Sequence, residues 1–162
     1  MLSAQKRLKL KSGRIGLISD THGLMRPEAL GALKGSELII HAGDIGKPEV
    51  LEALERVAPT LAIRGNNDRN SWAKTIPDLL ELTINGIAIC VIHNVNEWDR
   101  AFGRDVDAVV SGHSHKPGVA TRDGVLFVNP GSAGPRRFKL PIAVGRLQVS
   151  HGNIRGKITI LA

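Results

Sequence analysis

Short apolar runs alternate with polar, glycine-bearing loops along almost the whole chain. Arg14 to Ser19, Leu38 to His41 and Thr60 to Arg64 are too short for stable helices and read as strands buried on both faces. The stretches between them have a different period. Pro27 to Leu33 carries proline in its first turn, where a helix tolerates it. Pro48 to Val57 places Val50, Leu51, Leu54 and Val57 on one helical face. Alternation of strand and helix in this order predicts an α/β domain with a parallel sheet and helical crossovers.

From Leu79 onward the pattern changes. Leu79 to Ile84 and Ile87 to Ile92 flank Asn85-Gly86, a pair suited to a type I′ hairpin turn. A short helix is expected over Asn96 to Phe102. Further strands are expected at Ala108 to Ser111, Val119 to Thr121, Val125 to Asn129, Ile142 to Val149 and Ile154 to Ile160. Asp123-Gly124 and Gly152-Asn153 mark tight turns. The strand-rich second half predicts a second sheet packed on the first. With 162 residues, the chain is expected to form one domain, residues 1 to 162, whose core needs no covalent staple. Residues 1 to 12 are polar and basic and are expected to be a flexible arm.

Composition narrows the function. The formal net charge is +7, which favours anionic partners. The basic residues gather in the N-terminal segment, at Arg64 to Arg69, and at Arg136, Arg137 and Lys139. Tyrosine is absent and aromatics are few, so the stacking surface of a single-strand binder is not visible and nucleic acid is not the favoured partner. No apolar run approaches the roughly 20 residues that a bilayer-spanning helix needs, so no membrane association is expected. The basic start lacks the apolar stretch of a secretory signal. Cys90, the only cysteine, sits in an apolar run and reads as a small buried residue. That usage fits a cytoplasmic protein.

The polar residues that close the apolar runs carry the chemistry. They are Asp20-Thr21-His22, Gly43-Asp44, Gly65-Asn66-Asn67-Asp68, His93 and Gly112-His113-Ser114-His115. Asp, Asn and His are the oxygen and nitrogen donors of divalent metals. Ligands of parallel sheets bind beyond the carboxyl ends of the strands, which puts these loops on one rim. An extended Asp20-x-His22 would point both side chains at one ion. His113-x-His115 could do the same, or split its imidazoles between two ions. Asp44 is a natural bridge, with one oxygen for each metal. Asn66 adds a neutral oxygen, which keeps the site positive enough to attract a phosphate ester. Two ions about 3.5–4 Å apart can clamp the attacking and leaving oxygens of an in-line displacement, with a bridging hydroxide as nucleophile.

Each motif also has an ordinary reading. Aspartate after a strand commonly caps a helix or shapes a turn. The ensemble argues otherwise, because four of the six histidines occupy these strand exits. His41 would point away from Gly43-Asp44 and is assigned a supporting role, and His151 a solvated turn.

This ordered set resembles the calcineurin-like metallophosphoesterase superfamily. Within it, the chain is similar to the small YfcE-type bacterial and archaeal phosphodiesterases, which are related to the retromer subunit Vps29. Pro117 and Asn129-Pro130-Gly131-Ser132 strengthen the likeness, which runs from Arg14 to the C-terminus. The resemblance implies a four-layer αββα sandwich with two mixed β-sheets. It implies one metal on Asp20, His22, Asp44 and His115 and a second on Asp44, Asn66, His93 and His113. Asp44, Asn66 and His113 are the residues it assigns to catalysis. Manganese is the expected ion, with iron, nickel or zinc as alternatives. The implied activity is hydrolysis of small phosphate diesters.

Two positions depart from the family pattern. Asn67 stands where many members carry a histidine that protonates the leaving group, so diesters with good leaving groups are the expected substrates. Asn94 follows His93 where glycine is common. Asn67, Asn94 and Arg64 are candidate substrate contacts. The alternatives are a Vps29-like scaffold with a vestigial site, or a phosphomonoesterase or nuclease on the same centre. A homodimer is the default expectation for a small enzyme.

Overall fold

The structure is a computed structural model that describes residues 1–99 and 105–162. In chain order the elements are β1 (Ser3–Leu8), β2 (Arg14–Ile18), α1 (Pro27–Leu33), β3 (Leu38–His41), α2 (Pro48–Glu55), β4 (Thr60–Ala62), β5 (Leu79–Ile84) and β6 (Ile87–Ile92). Then follow β7 (Ala108–Val110), β8 (Gly118–Arg122), β9 (Val125–Asn129), β10 (Ala143–Ser150) and β11 (Asn153–Ile160). They form a five-stranded sheet of order β11-β10-β2-β3-β4 and a six-stranded sheet of order β1-β5-β6-β7-β9-β8. Both sheets are mixed. β2, β3 and β4 are parallel, as the strand and helix alternation predicts, while β10 joins β2 antiparallel.

The two sheets face each other across the largest apolar cluster, which includes Leu17, Ile40, Leu82, Ile89 and Val110. The outer face of the five-stranded sheet takes α1 and α2 through Ala29, Leu33, Val50 and Leu54. The other outer face carries a smaller cluster of Leu79, Cys90, Ile92 and Val109, with Trp98 and Phe127 packed on it. Cys90 is buried as expected, and burial, with Glu81 nearby, pushes its thiol up to about 12. No helix among the described residues is long and apolar enough to cross a membrane.

Three expectations need correcting. Residues 3–8 are not a loose arm. They form β1, an edge strand parallel to β5 and in register from Ser3 opposite Leu79 to Leu8 opposite Ile84. Its pattern is hard to read because only Ala4 and Leu8 are partly buried. Asn85 clamps its end, accepting from Leu10 N at 2.8 Å and donating through Nδ2 to Leu10 O at 3.0 Å. The last hairpin turns on His151-Gly152, both with positive φ (50° and 76°), one residue before the expected turn. In place of a helix from Asn96, Val95–Glu97 is a single 3-10 turn capped by the Asn94 side chain, and residues 100–102 lie outside the described residues.

Candidate metal centre

The loops after β2 and β3 run side by side. Asp20 N donates to Gly43 O at 3.0 Å, and His22 N donates to Asp44 O at 2.9 Å. The loop after β7 closes over them, with His113 N donating to Asp20 Oδ2 at 3.0 Å. Left-handed backbone recurs among the candidate ligands: Asp20 (φ 55°), His22 (46°), Asp44 (55°), His113 (69°) and His115 (61°). Asp20-x-His22 is therefore not extended, as the alternation argument assumed. Its backbone turns between successive hydrogen bonds to the neighbouring loop, and the two side chains still converge. Each left-handed residue with a side chain costs about 1–2 kcal/mol. Strain of this kind, concentrated in one cluster, is a recurrent mark of functional sites.

The donors meet in two overlapping groups, Asp20 with His22 and His115, and Asp20 with Asp44 and His93, with all ligand atoms in each group within 4.8 Å. His115 Nε2 lies 3.3 Å from Asp20 Oδ1, and His93 Nε2 lies 3.3 Å from Asp44 Oδ2 and 3.9 Å from Asp20 Oδ1. His22 Nε2 lies 3.9 Å from Asp20 Oδ1 and 3.8 Å from Asp44 Oδ2. Both carboxylates thus reach histidines of both groups. The second group joins Asp44 and His93 to Asp20. The His113 ring stands edge-on to His93 at 5.2 Å, and Asn66 lines a cleft with both histidines.

Four buried atoms here have no hydrogen-bond partner: Asp20 Oδ1, His22 Nε2, His93 Nε2 and His115 Nδ1. His93 Nε2 and His22 Nε2 stay without a hydrogen bond although each faces a carboxylate oxygen at 3.3–3.9 Å. A buried polar group without a partner costs about 1–3 kcal/mol. Three imidazoles and one carboxylate oxygen with unmet capacity, beside the second carboxylate of Asp44, fit divalent ions of the borderline type. The residues present therefore fit a metal centre.

Neighbouring groups fix the orientation of the donors. His93 Nδ1 lies 2.7 Å from Ala42 O, so this nitrogen carries the proton and Nε2 offers its lone pair. Burial works to lower the His93 pKa, but Asp44, Asp20 and the Ala42 carbonyl outweigh it and hold it above its usual value. For His115, burial wins over the pull of Asp20, with Arg137 and His22 adding to the lowering. Burial works to raise the Asp44 pKa, yet His93 and the Asn67 amide hold its carboxyl down at about 2.

Asn67 donates to Asp44 twice, from its backbone N at 3.0 Å and from Nδ2 at 3.1 Å. The sequence offered it as a substrate contact; the structure commits its side chain to Asp44. Asp68 was overlooked as a site residue. It is buried and accepts from Ile45 N, Gly46 N and Gly65 N at 2.9–3.0 Å, latching the loops after β3 and β4 together. Its place in the Gly65-Asn66-Asn67-Asp68 motif was the available signal.

A family model for the calcineurin-like phosphoesterase superfamily domain matches residues 14–152. The chain belongs to this superfamily. A probable metallophosphoesterase of Methanothermobacter thermautotrophicus is 35% identical over 73% of this chain and 76% of its own length. The crystal structure of Entamoeba histolytica Vps29 complexed with zinc shares the fold, with a TM-score of 0.70 and 21% identity over 91% of this chain and 98% of that one. A structurally characterised archaeal phosphodiesterase superposes with a TM-score of 0.74 and 25% identity over 90% of this chain and 99% of that one.

In this calcineurin-like chain, His41 lies behind the donors. Gly43 N donates to its Nδ1 at 3.1 Å, so the proton sits on Nε2, 2.9 Å from Thr21 Oγ1, and Thr21 donates on to Ile45 O at 2.8 Å. Burial, aided by the nearby His93, drops the His41 pKa to about 3. An unfolded histidine titrates at about 6.5. Between these values the unfolded chain holds a proton that the folded chain refuses. Stability is therefore full above the unfolded pKa and falls as pH drops toward 3. The contribution reaches about 1.4 kcal/mol per pH unit at most. Urea unfolding of metal-stripped His41→Gln should show a flatter acid limb than wild type; parallel limbs would show that His41 titrates normally.

Beside the donors lies a cleft of about 540 Å³, lined by Arg64, Asn66, Asn94, Glu97, His93 and His113 among others. Arg64 is not a free cation there. Its Nε and Nη2 donate to Asp78 Oδ1 at 2.7 Å and Oδ2 at 3.1 Å. Asn94 spends its side-chain oxygen on Asn96 N at 3.1 Å.

Proposed function

We propose that the protein is a metal-dependent phosphodiesterase that holds two divalent ions on Asp20, His22, Asp44, Asn66, His93, His113 and His115 and hydrolyses small phosphate diesters. The observation that carries this reading is the gathering of His22, His93 and His115 around the carboxylates of Asp20 and Asp44, with four buried polar atoms among them left without a hydrogen-bond partner. Two such ions would supply positive charge for the phosphate and a water acidified toward neutral pH. Manganese is the proposed ion, and iron, nickel or zinc suit the same donors. The archaeal phosphodiesterase and the zinc-complexed Vps29 that share this fold support the activity and the capacity for metal, respectively.

The residues divide the work. Asp20 and Asp44 supply negative charge that faces both groups of imidazoles. His93 is locked with Nε2 inward. His113 is exposed, anchored through its backbone to Asp20, and turned toward the cleft beside His93 and Asn66, where it would meet the phosphate. Asn67 cannot give a proton to a leaving group, so diesters with acidic leaving groups should react fastest. Asn67→Ala would remove one of its two bonds to Asp44. Loss of such an outer partner weakens metal binding by about 10–100-fold, a change that manganese titration would measure; unchanged affinity would show that the backbone bond suffices.

The direct test is hydrolysis of bis(p-nitrophenyl) phosphate by metal-stripped protein, before and after adding manganese. Turnover restored by metal is expected. No turnover with any divalent ion would favour the second reading, a binding scaffold, which rests on the fold shared with Vps29. Activity insensitive to salt would match a small diester, and a steep fall with salt would match a polyanion.

A further inference from the structure

The chain has three phenylalanines, two tryptophans and no tyrosine. One of these few aromatic rings is spent on solvent. Phe138 is 90% exposed, the most exposed large apolar side chain described, and is held at φ 53°. A bulky residue is rarely found in this region without a reason. Phe138 lies beside the metal centre. A cleft of about 360 Å³ joins His22 and His115 to Pro135, Arg136, Arg137 and Phe138.

The base of this loop is bolted to the strand end that carries Asp20 and His22. Ser132 Oγ donates to Asp20 O at 3.0 Å, Ala133 N to Ser19 O at 3.1 Å, and Arg26 to Gly134 O at 3.2–3.3 Å. Arg136 donates to Leu140 O at 3.3 Å, within its own loop. Neither Arg136 nor Arg137 pairs with a carboxylate among the described residues. The rim therefore presents two guanidinium groups without a carboxylate partner among the described residues and one exposed aromatic ring, on a loop whose base is tied to the strand end that carries Asp20 and His22.

We propose that the Arg136-Arg137-Phe138 loop is the specificity element of this site and selects a phosphodiester that carries a nucleobase, a small nucleotide rather than a polymer. This rests on the phosphodiesterase reading above and names its substrate class. Arginine supplies paired donors matched to phosphate oxygens. A base can stack on Phe138 without regard to sequence, because every base has a π-face. A polymer would need a series of such rings along a basic groove, and the rim has one.

The test is calorimetric binding of two probes to manganese-loaded protein: adenosine 5′-monophosphate, the half of such a diester that carries both phosphate and base, and ribose 5-phosphate, which keeps the anion and lacks the base. Wild type should bind the nucleotide about 10-fold more tightly, the scale of one stacked base. Phe138→Ala should erase that preference, and Phe138→Leu should restore only part of it. Arg136→Gln combined with Arg137→Gln should weaken both probes alike. Equal binding of both probes by wild type, or a preference that survives Phe138→Ala, would overturn the proposal. The two readings fail separately. A base preference without hydrolysis of bis(p-nitrophenyl) phosphate would sink the enzyme and keep the rim, and hydrolysis without a base preference would do the reverse.

Discussion

Replacing Asp44 with asparagine is expected to cut metal-dependent turnover by more than about 100-fold, since even outer partners of metal ligands are worth about 10–100-fold. Two effects combine. The variant loses a negative charge that faces His22 at 3.8 Å and His93 at 3.3 Å, so both groups of donors are weakened together. It also turns an acceptor into a donor opposite Asn67 Nδ2, which now donates to Asp44 Oδ2 at 3.1 Å. The loop after β4 should shift along with Asn66. Kinetics with bis(p-nitrophenyl) phosphate over a range of manganese concentrations would read this out. Near-normal turnover with metal still bound would show that Asp44 is only a loop-shaping residue.

Gly112→Ala should be nearly as damaging, although glycine has no chemistry. Gly112 lies where β7 exits against the end of β2, and its amide donates to His93 O at 2.9 Å. A Cβ there would collide with Ser19 Oγ and stand 2.6 Å from Asp20 Oδ2. Ser19 Oγ donates to that same oxygen at 2.7 Å, so the displaced group is the one that aims Asp20. Overpacking of this kind costs about 1–3 kcal/mol. A reacting group misplaced by about 1 Å costs about 100-fold in rate. Gly31 in α1 is the control, because a Cβ there meets nothing within 4 Å. Gly31→Ala should stabilise the helix by about 0.5–1 kcal/mol and leave turnover alone. Chemical denaturation and kinetics on the pair would separate the effects. Full activity in Gly112→Ala would mean that Asp20 is not held by this contact.

The strands were legible because their apolar runs are short and sharply bounded, and β3, β5, β6 and β9 begin and end where the pattern says. The candidate donors were legible for a related reason. Each closes an apolar run, so a strand model alone carries Asp20, Asp44, His93 and His115 to one rim. β1 was not legible, since an edge strand with two half-buried residues leaves little periodicity. Nor does sequence reveal a backbone that turns left-handed at Asp20 and His22, because the hydrogen bonds that impose it come from a different loop. The duties of Asn67, Asp68 and Arg64 were hidden for the same reason. Asn67 and Arg64 looked like surface polar groups facing a substrate, and their partners Asp44 and Asp78 lie 23 and 14 residues away. Phe138 was missed because a single aromatic carries no pattern at all.

By our proposal, the converging carboxylates and imidazoles hold a pair of ions. The most direct test of that proposal is the number of manganese ions bound per chain after reconstitution of the metal-stripped protein, measured by equilibrium dialysis with elemental analysis. Two ions per wild-type chain, with a matched loss from both positions in Asp44→Asn, are predicted. A single ion, or none, or two ions undisturbed by Asp44→Asn, would contradict it.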